Sequence, residues 1–405
     1  MVQHVNDDTG PLPDSSGAKP RVLVWYEGNS DTFFRISERI ADRLAERLPP
    51  SQIGLALTAR AECMLRLRAK GYAVFPYEGP AGRERKLRMA LSIPGNFLRF
   101  NRILRRFRPD VIVLTSNFGL AWPLLELARL RGTKIIYLPH DPQPHSGDYA
   151  PLWQRLAQGQ VLKNAHALIF LSDAMRETAR SLGGAFATLP AFVAPLHSLG
   201  VPIVPGPRAR VHGRPLRFLF LGRMIRYKGL DLLAEACRLI AERNDWHLTL
   251  AGDGPEVEQV RADFAGMPQV SLDHLRYLDD PEIDQLNLSH DVLICPYRDA
   301  TQSGAVAEAT LTGLPSIVSP VGALPSQVEF GRAGWVMAEM SADALASCMR
   351  AALDSPEAVA SMSRATLAFW QRSRTENAFL AAVDTVLGTE TSAGRTEGID
   401  DASRP

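Results

Sequence analysis

The stretch GRMIRYKG, residues 222–229, sets Arg223 and Lys228 five positions apart directly after the apolar run LRFLFL. A short apolar run of this kind reads as a buried strand, and the LDLLAEAC that follows has helical periodicity. The two cations therefore arrive at a strand end beside a helix start. A guanidinium holds phosphate oxygens bidentately, an ammonium acts as a compact point charge, and helix-start amides add a favourable potential. The pair reads as an anion site, and the alternative is two solvated surface cations.

Two further stretches repeat the arrangement. Gly252-Asp253-Gly254 follows the run HLTLA. Any tight strand-to-helix turn favours glycine, so this pair adds weight only by its place at a neighbouring strand end. The third, YRDATQSGAVAEATLTGLPS (297–316), follows the run DVLICP. Gln302, Ser303 and Gly304 open a helix whose first amides suit a phosphate or a sugar hydroxyl. Glu308 lies about one turn inside. There a carboxylate can accept hydrogen bonds from a vicinal diol such as a ribose; the plainer alternative is a carboxylate that complements the helix dipole.

These residues need a scaffold of parallel strands, and the chain supplies one twice. RVLVW (21–25), IGLALT (53–58), DVIVLT (110–115), KIIYLP (134–139) and ALIFLS (167–172) alternate with helical sequence. Residues 190–215 are dense in Pro and Gly and break the alternation, which restarts at 216 and runs through HLTLAG, VSL, DVLICP and PSIVSP. Strand and helix alternating at this spacing imply α/β domains with parallel sheets covered on both faces. The expected organisation is a tail over 1–20, a first domain over 21–195, a linker over 196–215, a second domain over 216–370 and a second tail over 389–405. The pattern ATLAFWQRSRTENAFLAAVDTVL (365–387) reads as helical. In open α/β sheets ligands bind beyond the carboxyl ends of the strands, so the site is expected there.

Taken together, GRMIRYKG, LAGDGPE and QSGAVAEATLTGLPSIVSPVGALPSQV resemble the family 4 glycosyltransferases of the GT-B fold, over roughly residues 216–340. The resemblance implies two Rossmann-like α/β domains facing each other across a cleft, with a last helix, at about 374–388, returning to the first domain. It implies a retaining enzyme that uses a nucleoside diphosphate sugar, with Arg223 and Lys228 on the diphosphate and Glu308 on the ribose. In the family an EX7E motif ends in that glutamate. Its first glutamate would fall at position 300, which is Ala300 here. Contacts to the donor sugar would then come from Gln302, Ser303 and backbone amides such as that of Gly304. A family histidine that reaches the transferred sugar corresponds to His140 in YLPHDPQPHSGDY, with His145 competing for the assignment and Asp141 as an acceptor-side or turn-capping residue. Gly28 and Asn29 stand where relatives carry an acceptor loop, without the usual double glycine.

Composition limits the partners. The chain has 405 residues and a net charge of +1, but residues 21–130 hold 19 Lys and Arg against 10 Asp and Glu. In RERKLRMALSIPGNFLRFNRILRRFRP (83–109), Phe97, Phe100, Leu104 and Phe107 share one helical face and Arg99, Arg102 and Arg106 another. The segment is either a core-packed helix with a solvated basic side or a contact for anionic phospholipid headgroups. Nucleic acid is not expected, because no interleaved stacking aromatics accompany the charges elsewhere. Neither is a metal, since Asp279-Asp280 and Asp400-Asp401 are adjacent pairs rather than Asp-x-Asp. Four scattered cysteines, no signal-like segment and no run long enough to span a bilayer fit a cytoplasmic protein, with the inner membrane face as a peripheral site. The expected acceptor is a lipid-linked or cell-surface glycan. Two alternatives stay open: a sugar-nucleotide epimerase of the same fold, and a catalytically silent nucleotide-sugar-binding protein.

Overall fold

The computed structural model describes residues 19–26, 31–58, 61–77, 85–115, 122–139, 151–204, 206–208 and 213–389. The chain divides into two compact units, one of Met1–Ile169, Leu182–Phe192 and Ala378–Pro405, the other of Phe170–Ser181 and Val193–Asn377.

The first unit is built on a seven-stranded sheet: β1 (Val22–Tyr26), β2 (Ile53–Thr58), β3 (Ala73–Tyr77), β4 (Val111–Leu114), β5 (Lys134–Tyr137), β6 (Ala167–Phe170) and β7 (Ala191–Val193). Their spatial order is β3-β2-β1-β4-β5-β6-β7, and the pairings from β3 to β6 are parallel. β1 and β4 are buried along their whole length, as expected of strands covered on both faces. Helix Arg85–Phe107 packs Phe100, Leu104 and Phe107 inward, and Phe100 stacks on Trp25 at 4.0 Å between centroids. Phe97, on the same sequence stripe, is 38% exposed, so the buried face begins one turn later than the spacing suggests. Helix Phe379–Leu387 packs on β4 and β5 with Phe379, Leu380, Ala382 and Val383 buried.

The second unit has six strands, β8 (Leu216–Leu221), β9 (Trp246–Ala251), β10 (Val270–His274), β11 (Val292–Cys295), β12 (Ser316–Val318) and β13 (Gly334–Val336). All its pairings are parallel, in the order β10-β9-β8-β11-β12-β13. The chain winds one way from β8 to β10 and the other way from β11 to β13. The reversal between β8 and β11 is the topological switch point, where flanking loops part and leave room for a ligand.

Two details depart from the sequence pattern. The 365–387 pattern is two helices, Pro356–Thr375 and Phe379–Leu387, separated at Glu376–Ala378. There Asn377 spends its amide on Ser198 Oγ, and Arg374 donates to the carbonyls of Ser198 (3.1 Å) and Gly200 (2.9 Å). The Pro/Gly-rich stretch after 195 is also well anchored. Leu196–Leu199 form a buried turn of helix, and the Arg208 guanidinium donates to the carbonyls of Thr312 (2.9 Å), Leu288 (3.1 Å), Asn287 and His290. Those carbonyls close two helices, Asp280–Ser289 and Gly304–Leu311, so one arginine satisfies acceptors that helix ends leave open.

Candidate donor-binding site

The residues singled out at the ends of β8 and β11 meet at the switch point. Beyond β8, Gly222 donates to Ala251 O (3.0 Å) and Met224 donates to Asp253 O (2.9 Å), lacing this turn to the end of β9. A Cβ on Gly252, whose φ is +132°, would stand 1.9 Å from Gly222 O. The Gly-Asp-Gly turn is thus explained by close backbone approach between strand ends. Arg223 is exposed, while Met224 is fully buried.

A single 3-10 turn, Arg226–Lys228, follows and ends at Gly229 in the left-handed region with φ +70°. A Cβ there would lie 2.0 Å from Pro296 O, so the turn is pressed against the chain leaving β11. Arg298 N–H donates to Tyr227 O (2.7 Å) and the Arg298 guanidinium pairs with Asp231 (2.6 Å), closing the same seam.

This seam places the Lys228 ammonium 3.6 Å from the centroid of the Tyr297 ring and 5.1 Å from that of Tyr227. No carboxylate pairs with it among the described residues. A cation on an aromatic face is stabilised by about 0.5–2 kcal/mol, less than a paired and hydrogen-bonded carboxylate gives a buried charge. Burial and, secondarily, Arg223 push the Lys228 ammonium down to about 8, with Cys295 acting the other way. The protein holds a partly desolvated positive charge here and leaves its neutralisation open.

The other half of the site is the start of helix Gly304–Leu311. Ser303 caps it: its hydroxyl accepts from Val306 N–H (3.3 Å) and donates to Tyr297 Oη (3.3 Å). The Gln327 side chain clasps the Ser303 backbone, accepting from its N–H (2.8 Å) and donating to its carbonyl (2.9 Å). Ser303 is 1% exposed, so its hydroxyl works inside the protein as a cap. The N–H groups of Gly304 and Ala305 have no acceptor among the described residues and remain open, as first-turn amides do. Gln302 Oε1 is buried without a hydrogen-bond partner among the described residues. Glu308 sits half-buried one turn inside. Ala300 packs against the core of this unit, and a Cβ on Gly322 would come within 1.6 Å of its carbonyl.

Arg223, Lys228, Gln302, Ser303, Gly304 and Glu308 thus belong to the loops and helix starts around one end of one sheet. His140, Asp141, His145, Gly28 and Asn29 lie outside the described residues. Among the described residues no group of three His, Cys, Asp or Glu side chains could hold a metal ion. Asp279 instead caps helix Asp280–Ser289 in a reciprocal box with Glu282 (2.9 and 3.0 Å). Sequence reasoning missed Tyr297 and Gln327. An aromatic just past a strand reads as core, and an isolated glutamine carries no signal.

The chain matches two family models, one described as "Glycosyl transferase 4-like domain" over residues 37–195 and one as "Glycosyl transferases group 1" over 215–355. It is 26% identical over 271 residues to WcaL of Salmonella typhimurium, a glycosyltransferase named for colanic acid biosynthesis, covering 61% of this chain and 62% of that protein. It is 27% identical over 144 residues to the amylovoran biosynthesis glycosyltransferase AmsK of Erwinia amylovora, covering 34% of this chain and 35% of that one. The matches thus span less than two thirds of these curated relatives. Among solved structures, Anabaena HepE in complex with UDP and glucose superposes with a TM-score of 0.66 at 16% identity, over 92% of this chain and all (100%) of that one. A UDP-N-acetylglucosamine 2-epimerase superposes with a TM-score of 0.62 at 12% identity, over 96% of this chain and 100% of that one.

Proposed function

We propose a function from one premise: the chain belongs to the family 4 glycosyltransferases of the GT-B fold. Its reaction is transfer of a sugar from a nucleoside diphosphate donor to a glycan acceptor, with the anomeric configuration retained. The observation that carries this reading is the Lys228 ammonium, seated on tyrosine rings without a carboxylate beside open helix-start amides. A diphosphate supplies the missing negative charge. As the bond from sugar C1 to the diphosphate breaks, its electron pair passes to phosphate oxygen, and Arg223 and Lys228 stabilise the charge that develops there. The acceptor hydroxyl bonds to C1 from the same face and passes its proton to the departing diphosphate oxygen.

In this assignment Glu308 accepts from the ribose hydroxyls, and the Gly304 and Ala305 amides with Gln302 face the donor sugar. His140 serves the transferred sugar, while Gly28, Asn29 and Asp141 serve the acceptor. UDP is the first donor nucleotide to try, given the HepE complex. The names of WcaL and AmsK support a bacterial surface polysaccharide or its lipid-linked precursor as acceptor. A lipid-linked acceptor fits a peripheral position on an anionic membrane face. Helix Arg85–Phe107 supports this, exposing Leu98 (67%) and Phe97 (38%) beside exposed Arg102 and Arg105. No helix of the described residues is long and apolar enough to cross a membrane.

The test is a panel of UDP-, GDP- and dTDP-sugars offered to the purified protein. One donor raises the melting temperature and, with acceptor, releases its nucleoside diphosphate; no response to any donor overturns the reading. Conversion of the donor sugar to its epimer without acceptor would favour the epimerase instead. Nucleotide binding that depends on Arg223 but never leads to transfer would favour a silent binding protein.

A further inference from the structure

We infer that Tyr297 is a positioning residue of this site: its ring face holds the Lys228 ammonium, and its hydroxyl ties that ammonium to the start of helix Gly304–Leu311. The inference rests on the reading of the site as one for a nucleoside diphosphate sugar.

Tyr297 is held at three points. Its side chain is 1% exposed, its carbonyl accepts from Ser319 Oγ (2.5 Å), and its hydroxyl accepts from Ser303 Oγ (3.3 Å) and Cys295 Sγ (3.5 Å). Its ring meets that of Tyr227 edge-on, at 6.5 Å and 87°, and Lys228 Nζ lies within reach of both. The charged and titratable groups acting on the ammonium are Cys295 at the end of β11, Arg223 beyond β8 and the two tyrosines. The nearby Asp231 is engaged by Arg298.

A carboxylate in place of this ring would fix the ammonium equally well, but it would cancel the charge and compete with the diphosphate. An aromatic face holds the cation while leaving its charge for the ligand. The hydroxyl adds a second constraint. Through Ser303 it sets the height of the helix cap, and with it the open Gly304 and Ala305 amides, relative to the ammonium. A ligand that bridges the two, with phosphate at one end and sugar at the other, requires that spacing.

The ring and the hydroxyl are separable. Tyr297→Phe keeps the ring; phenylalanines bearing one, two and three ring fluorines, introduced at 297, keep its shape while weakening its attraction for a cation. Binding of the donor and of inorganic pyrophosphate is measured by calorimetry on either side of pH about 8, with melting temperatures as a folding control. Across the fluorine series pyrophosphate affinity falls by about two- to fivefold, and the pH at which it is lost moves down step by step. Tyr297→Phe alone leaves pyrophosphate binding unchanged and weakens the donor by about threefold, because only the donor reaches the helix start. Identical affinities and pH midpoints across the fluorine series overturn the role of the ring. Equal loss for donor and pyrophosphate in Tyr297→Phe overturns the role of the hydroxyl. If the wild-type protein takes no nucleotide sugar, the reading of the site fails instead, and the pyrophosphate series still decides what the ring does.

Discussion

Two lysines, one in each unit, meet opposite fates. Lys70 in the first unit reaches Glu38 (3.0 Å) and Asp42 (2.8 Å), with Arg66 completing the cluster on Glu38 (2.6 Å). Burial alone would lower its proton affinity, but Asp42 and Glu38 outweigh that and raise it. Lys228 in the second unit is also partly desolvated, has two tyrosine rings in place of carboxylates, and falls to about 8. The first lysine finds its counter-ions inside the fold and clasps helix Ala61–Ala69 to helix Asp31–Leu44. The second has no carboxylate partner among the described residues, and in the proposed reading its counter-ion arrives with the donor. What separates a structural cation from a binding one is whether the chain supplies the anion.

The comparison predicts unequal losses. Lys228→Ala weakens donor binding by roughly 10- to 100-fold, the worth of a charge-assisted contact, while the melting temperature stays level or rises because an unpaired buried charge is gone. Calorimetry and thermal melts on the one variant test both statements, and a large loss of stability would erase the distinction. Acidity gives the next largest effect. The unfolded chain keeps the lysine proton up to the ordinary lysine value of 10.5, and the free protein releases it near 8. Stability therefore rises with pH between these values, whereas donor affinity falls by up to about tenfold per pH unit above 8. A donor titration across that window, showing flat affinity, would mean that Lys228 is not the anion-binding group.

Glu308→Gln sharpens the other half of the site, with about tenfold weaker donor binding and a smaller preference for ribo- over 2′-deoxyribonucleotide donors. An unchanged preference would return Glu308 to the helix-dipole role. The smallest effect is expected at Lys70. Lys70→Ala costs up to about 1 kcal/mol of stability, since the lysine and its partner Asp42 are each more than a third exposed, and leaves donor affinity untouched. The partner cluster also gives an acid signature: burial would raise the Glu38 carboxyl, but Arg66 and Lys70 outweigh it and hold it below the ordinary glutamate value of 4.5. That contribution is present near neutrality and is lost as pH falls through the lowered value, whereas the Lys228 signature lies on the alkaline side. Acid and alkaline melts of the two alanine variants should therefore separate cleanly.

The fold was legible where strands are buried on both faces. β1, β2, β4 and β11 coincide with apolar runs to within a residue or two, because continuous burial demands continuous apolar sequence. β3, β7 and β13 escaped notice. β3 carries Pro76 and lies at a sheet edge, β7 has three residues in a Pro-rich stretch, and β13 is Gly-Trp-Val at the other sheet's edge. Around the second sheet, residue types placed Arg223 and Lys228 after a strand and Glu308 inside a helix, as the structure has them, but could not say which hydroxyl points inward. Ser303 reads from the sequence as a sugar contact, and the structure shows its hydroxyl capping the helix, since one spacing serves both uses. Tyr297 became visible only when packing put its ring under an ammonium 69 positions behind it in sequence.

The helix Phe379–Leu387 carries a consequence for synthesis. It covers β4 and β5, whose strands leave the ribosome some 240–270 residues earlier. One flank of those strands waits for this cover while the entire second unit is translated, although N-terminal units ordinarily complete first. The unit begun first is finished last, and a stop codon just before residue 378 would leave an apolar flank of the nascent sheet without its cover.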